Sequence, residues 1–133
     1  MTASDRAVEL ATTAAQAAAD KLGTDIVLID VSDRLVITDV FLVVTGANQR
    51  QVGAIRDAIE EALLALKAKP VRREGEREGR WVLLDFLDVV VHVQHPEERV
   101  FYSLERLWKD CPEIPWVDRD KTIHDEARAA AAE

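Results

Sequence analysis

The chain has one cysteine, Cys111, so it cannot close a disulfide on itself, which suits a reducing compartment. Five glycines and four prolines in 133 residues are too few for a low-complexity chain. The longest apolar run without a charge, Val40 to Ala47, is too short to span a bilayer, so no membrane partner is expected. The opening residues Met1-Thr2-Ala3-Ser4-Asp5-Arg6 lack the charged segment and apolar stretch of a secretory signal, and the expected location is the cytoplasm. Positive charge is scarce. Seventeen basic side chains against 25 acidic ones leave a net charge of −8. A protein whose main work is coating nucleic acid needs the opposite balance, so direct sequence-specific nucleic-acid binding is not expected. A basic protein is the natural partner for such a surface. No internal repeat is visible.

What is present is a fold-forming pattern. Apolar residues make up 48 % of the chain, enough for one core without metal or disulfide staples. Ser4 to Leu22 reads as a helix, with Val8, Ala11, Ala15, Ala18 and Leu22 on one face and Gly23 as its stop. Ile26 to Val31 reads as a strand, followed after a turn by Leu35 to Ile37 and Val40 to Thr45, antiparallel to it. Asn48 is a good N-cap for a helix that buries Val52, Ile55, Ile59, Leu63 and Leu66 and stops at Pro70, with Arg56 and Glu60 spaced to pair. Arg72 to Arg80 reads as a charged loop. Trp81 to Phe86 and Val89 to Val93 are strands joined too tightly for a parallel crossover. His95-Pro96 ends the sheet, and Glu97 to Lys109 reads as one helix with Val100, Phe101, Leu104, Leu107 and Trp108 inward. The order implies an α/β (α+β) domain, a single mixed β-sheet flanked by helices, over residues 1–117. Residues 118–133, acidic and alanine-rich, read as a frayed helix or a flexible tail.

Chemistry-bearing patterns are sparse. His92 and His95 are three apart in extended chain and point to opposite faces, and His124 falls in the weak tail, so no metal is expected. There is no nucleophile elbow and no phosphate loop ending in Lys-Ser or Lys-Thr. One enzyme reading stays open. Val43-Val44-Thr45-Gly46 leads into a helix N-terminus that could hold phosphate, and Asp85 and Asp88 could hold magnesium, as in a nucleotidyltransferase. Against it, Gly46 is followed by Ala47 instead of serine, and the aspartates do not form an Asp-x-Asp pair. The other signal is apolar. Trp81, Leu83 and Asp85 share one strand face, and Val90 and His92 share one on the next. A Trp with aliphatic neighbours and carboxylates at the rim has the composition of an interface, although alternation alone is equally compatible with core.

The block Trp81-Val82-Leu83-Leu84-Asp85-Phe86-Leu87-Asp88-Val89-Val90-Val91-His92-Val93, with Glu98, Arg99, Phe101-Tyr102, Leu104-Glu105 and Leu107-Trp108 after it, closely resembles the ribosomal silencing factor, or Iojap-like, family. Asp30-Val31-Ser32, Thr38-Asp39, Phe41, Gly46, Gln51 and Ala54-Ile55 match upstream, so the resemblance runs from about Val8 to Lys109. Leu87 stands where many members have glycine, and Val40 where many have tyrosine. The resemblance implies a nucleotidyltransferase-like sheet without catalytic residues, no cofactor, and no enzymatic activity. It implies binding to the large ribosomal subunit through ribosomal protein fourteen of that subunit, a block on joining of the small subunit, and repression of translation when nutrients are scarce. It also implies a homodimer when free. The expected contacts are Trp81 as anchor, Leu83, Asp85, Asp88, Val90 and His92, with Tyr102 beside them; Asp85 and Asp88 would pair with Lys or Arg of the partner.

Overall fold

A computed structural model of the chain describes residues 2–132. Helix α1 (Asp5–Asp20) begins where Ser4 Oγ accepts the Ala7 N–H at 3.0 Å. Its buried face is mostly alanine (Ala7, Ala11, Ala14, Ala15 and Ala18 around Leu10), which lets a second helix come close. That helix is α2 (Gln49–Ala65), capped by Asn48 and burying Val52, Ile55, Ile59 and Leu63 as the periodicity predicts. Arg56 and Glu60 do not pair. Glu60 takes Arg73 at 2.6 Å, and Arg56 takes Asp57 at 2.9 Å.

The left-handed residue after α1 is Leu22 (φ 63°), not Gly23. The Leu22 and Gly23 N–H groups donate to Ala19 O and Ala18 O, a Schellman closure. Gly23 is needed for space: a Cβ there would lie 2.6 Å from Val44 Cγ2 and 3.2 Å from Ile55 Cδ1. Gly23→Ala is therefore expected to cost about 1–3 kcal/mol of stability through overpacking, measurable by urea denaturation.

The sheet contains β1 (Thr24–Asp30), β2 (Val40–Thr45), β3 (Arg72–Glu74), β4 (Trp81–Asp85) and β5 (Val89–Gln94), in the spatial order β1-β2-β5-β4-β3. Only β2 and β5 run parallel; the other pairs are antiparallel. This is the single mixed sheet read from the sequence. One face, carrying Leu28, Val40, Leu42, Val44, Val82, Leu84, Val89, Val91 and Val93, packs under α1 and α2 to make the core.

Three segments differ from expectation. Leu35 to Ile37 is an irregular bend, not strand, and Val36 and Ile37 are exposed. Arg72–Glu74, within the expected charged loop, is the short edge strand β3, whose charged side chains hid its pairing with β4. The single helix over Glu97 to Lys109 is two, α3 (Pro96–Phe101) and α4 (Leu104–Leu107), broken at Tyr102-Ser103. The residue that faces the sheet is Arg99, so Val100, Phe101 and Leu107 point to solvent instead of the core, while Leu104 and Trp108 are half-buried. The segment read as a tail carries α5 (Lys121–Ala132), tied back by Arg128 to Gly23 O at 2.8 Å and by Gln16 to Asp118 at 3.0 Å. The stretch before it covers the outer edge of β1, with Asp30 N–H to Pro112 O and Ile114 N–H to Leu28 O both at 2.8 Å. Among the described residues no helix is long and apolar enough to cross a membrane.

Candidate docking face

The second face of the sheet is only half covered. Strand alternation and register put Phe41 and Val43 of β2, Val90, His92 and Gln94 of β5, and Trp81, Leu83 and Asp85 of β4 on it together. Five of the residues singled out from sequence (Trp81, Leu83, Asp85, Val90 and His92) thus share one surface. Trp81, Leu83 and Asp85 are half-buried, whereas Val90 and His92 lie deeper and form its floor. Tyr102, at the C-cap of α3, stacks over Trp81 with ring centroids 5.0 Å apart.

Aromatic contacts run across this face. Trp108 meets Phe41 edge-on at 5.4 Å, Phe41 meets His92 at 5.2 Å, and Phe101 meets Tyr102 at 4.8 Å. Trp81 is fixed at its polar end as well, because its Nε1–H donates to His92 Nδ1 at 3.1 Å. That bond requires a lone pair on Nδ1, so His92 is the neutral tautomer with its proton on Nε2. Burial pushes the His92 pKa down to about 4. Phe41, Phe101 and Trp108 join the face through these ring contacts and were not read as part of it. Val100, Phe101 and Leu107 carried a helical spacing that signals burial, and only the burial of Arg99 shows that the stripe is turned outward.

Arg99 holds α3 and α4 in this position. Its guanidinium donates to Thr45 Oγ1 at 2.9 Å, to Asp25 O, and to Glu105 Oε1 at 2.9 Å. Arg99→Met is expected to cost about 3 kcal/mol, at the low end for breaking a buried ion pair because Glu105 can turn to water. Denaturant unfolding measures the loss.

The carboxylates divide. Asp85 Oδ1 accepts the Leu87 N–H at 2.8 Å, and its other oxygen lies 3.7 Å from Arg72, so it is partly engaged in building the turn. Leu87 occupies that turn at φ 71°, the left-handed conformation that glycine would adopt more cheaply. Asp88 ties the turn down through its backbone, its carbonyl accepting the Asp39 and Val40 N–H groups, and its side chain is half-buried at the same end of the strand. Together they make an acidic rim at the end of the face remote from Trp81.

The nucleotidyltransferase arrangement is not assembled. Gly46 follows Thr45, which pairs with Gln94, whereas Asp85 pairs with Val90. Phosphate turn and carboxylates thus lie at opposite ends of the strands, roughly 13 Å apart along them. The N-terminus of α2 is also occupied by its own side chains: Asn48 accepts the Gln51 N–H at 2.9 Å and Gln51 accepts the Ala47 N–H at 2.6 Å. His124 is placed away from this face, buried between α5 and α1.

Known proteins resemble the chain over most of its length. A family model described as "Ribosomal silencing factor during starvation" matches residues 4–133. The chain is 41 % identical over 99 residues to a Bacillus subtilis protein named ribosomal silencing factor, covering 74 % of this chain and 84 % of that one. It is 38 % identical over 106 residues to the Halalkalibacterium halodurans protein of the same name, covering 80 % and 91 %. A crystal structure of a Chromobacterium violaceum protein superposes with a TM-score of 0.74 at 36 % identity, covering 77 % of this chain and 85 % of that one.

Proposed function

The chain belongs to the ribosomal silencing factor family, and from that premise we propose that its half-covered sheet face docks on the large ribosomal subunit, through ribosomal protein fourteen, and keeps the small subunit from joining. The observation that carries this reading is the face itself: an aromatic and aliphatic surface around Trp81, exposed at Phe101 and Tyr102 and rimmed by Asp85 and Asp88. Scattered exposed apolar residues are ordinary on a protein surface, whereas a contiguous group of large ones with a charged rim is the anatomy of an interface. The net charge of −8 favours a basic protein surface over bare RNA. In this reading Trp81 and Tyr102 fill the partner's apolar pocket, Leu83 packs beside them, and Val90 and His92 support them from beneath. Asp88 and the free side of Asp85 meet Lys or Arg of the partner. Nothing in this action needs a covalent step or a cofactor; occupying the surface is sufficient.

Sedimentation through a sucrose cushion tests it. The chain is expected to pellet with purified large subunits and not with small ones. Binding that falls steeply with salt would match the acidic rim. Recovery of the chain in the supernatant at saturating large subunit would contradict the reading. The free chain is proposed to form a homodimer, which light scattering measures independently.

A further inference from the structure

We propose that Asp20, Asp120 and His124 form a divalent-metal site of the zinc class that pins α5 to the end of α1. The proposal is independent of the docking face. His124 is 8 % exposed, and its Nδ1 lies 2.7 Å from Asp118 Oδ2, placed to donate its N–H there. The other nitrogen, Nε2, faces Asp20 Oδ1 at 3.4 Å. A lone pair and a carboxylate oxygen at that separation repel each other unless a positive species lies between them, either a proton on the ring or a metal ion. Asp120 supplies a further oxygen, and one ligand atom from each of the three residues lies within 4.8 Å of the others. Zinc bonds of about 2.0–2.2 Å in a tetrahedron put neighbouring ligand atoms roughly 3.4 Å apart, the spacing already present between Nε2 and Asp20 Oδ1.

The surroundings hold this arrangement. Gln16, itself buried, donates from Nε2 to Asp20 Oδ1 and to Asp118 Oδ1, each at 3.0 Å, while its Oε1 accepts the Arg119 N–H at 3.0 Å. Asp118 orients the imidazole from behind, the carboxylate–histidine relation that metal ligands commonly have. Arg119 lines the same hollow as Asp20 but makes no ion pair with it among the described residues. One imidazole and two carboxylates suit zinc better than magnesium or calcium, which prefer oxygen alone.

The test is calorimetric titration of the untagged, metal-stripped full chain with zinc chloride at pH 7.5. Wild type is expected to bind one equivalent. Asp20→Asn is expected to weaken binding at least tenfold, and Asp118→Asn, which frees the imidazole, by about 10–100-fold. His124→Gln is expected to abolish it; should that variant fail to fold, Asp20→Asn, which alters an exposed carboxylate, decides alone. No zinc uptake by wild type overturns the proposal. So does uptake that Asp20→Asn leaves unchanged, or magnesium bound in preference to zinc.

Discussion

Replacing Trp81 with alanine is expected to weaken binding to the large ribosomal subunit by about thirtyfold or more, the equivalent of roughly 2 kcal/mol for a truncated interface anchor. The expectation rests on how Trp81 is held. Tyr102 stacks on it, His92 accepts its N–H, and Leu83 follows it on the same strand face, so the indole is already ordered and little entropy is lost on docking. Trp81→Phe separates two contributions. It retains an aromatic ring for the pocket but gives His92 no donor, and a smaller loss of affinity is expected. Circular dichroism and urea unfolding of both variants establish that the fold persists. If Trp81→Ala folds and pellets with large subunits as wild type does, the anchor lies elsewhere.

Acid is expected to loosen the same face. The folded pKa of His92 is depressed by burial to about 4, whereas an unfolded imidazole titrates near 6.5. Above pH 6.5 neither state binds the proton and the full stability is present. As pH falls from 6.5 to 4 the unfolded chain takes up a proton that the folded chain refuses, and stability drops by about 3 kcal/mol, order of magnitude, before levelling below pH 4. Protonating Nδ1 would also set two N–H groups against each other where Trp81 now donates. Other groups titrate in the same window, so the comparison is with His92→Phe, which preserves the ring contacts with Phe41 and Trp81. Urea unfolding at pH 7.5 and pH 4 is expected to show a decline smaller by about 3 kcal/mol in the variant. Equal declines would mean that His92 is not buried as a neutral ring.

Much of this was legible in the sequence, for reasons that particular residues make clear. Asn48 and the stripe Val52, Ile55, Ile59, Leu63 announced α2 because capping and period act locally. Alternation in Trp81 to Asp85 separated the buried Val82 and Leu84 from the half-buried Trp81, Leu83 and Asp85, since a pleated strand has only two faces. What failed to show was decided by polar side chains acting over long sequence distances. Arg99 reaches Thr45 and Asp25, so Arg99 faces the sheet and its neighbours Val100 and Phe101 face solvent. Arg73, expected in a loop, joined the sheet edge and took Glu60 from Arg56. Gln16, Asp118 and His124 bound a weakly apolar segment that composition had marked as loose. Hydrophobic periodicity carries no signal for such anchors.

The central claim is that a docked chain keeps the two ribosomal subunits apart, and the most direct measurement is light scattering on mixing purified large and small subunits. With saturating chain present, the scattering rise that reports joining is expected to fall away, and Trp81→Ala at the same concentration is expected to leave it intact. Joining at the normal rate and extent, while the wild-type chain is shown to be bound to the large subunit, would contradict the account.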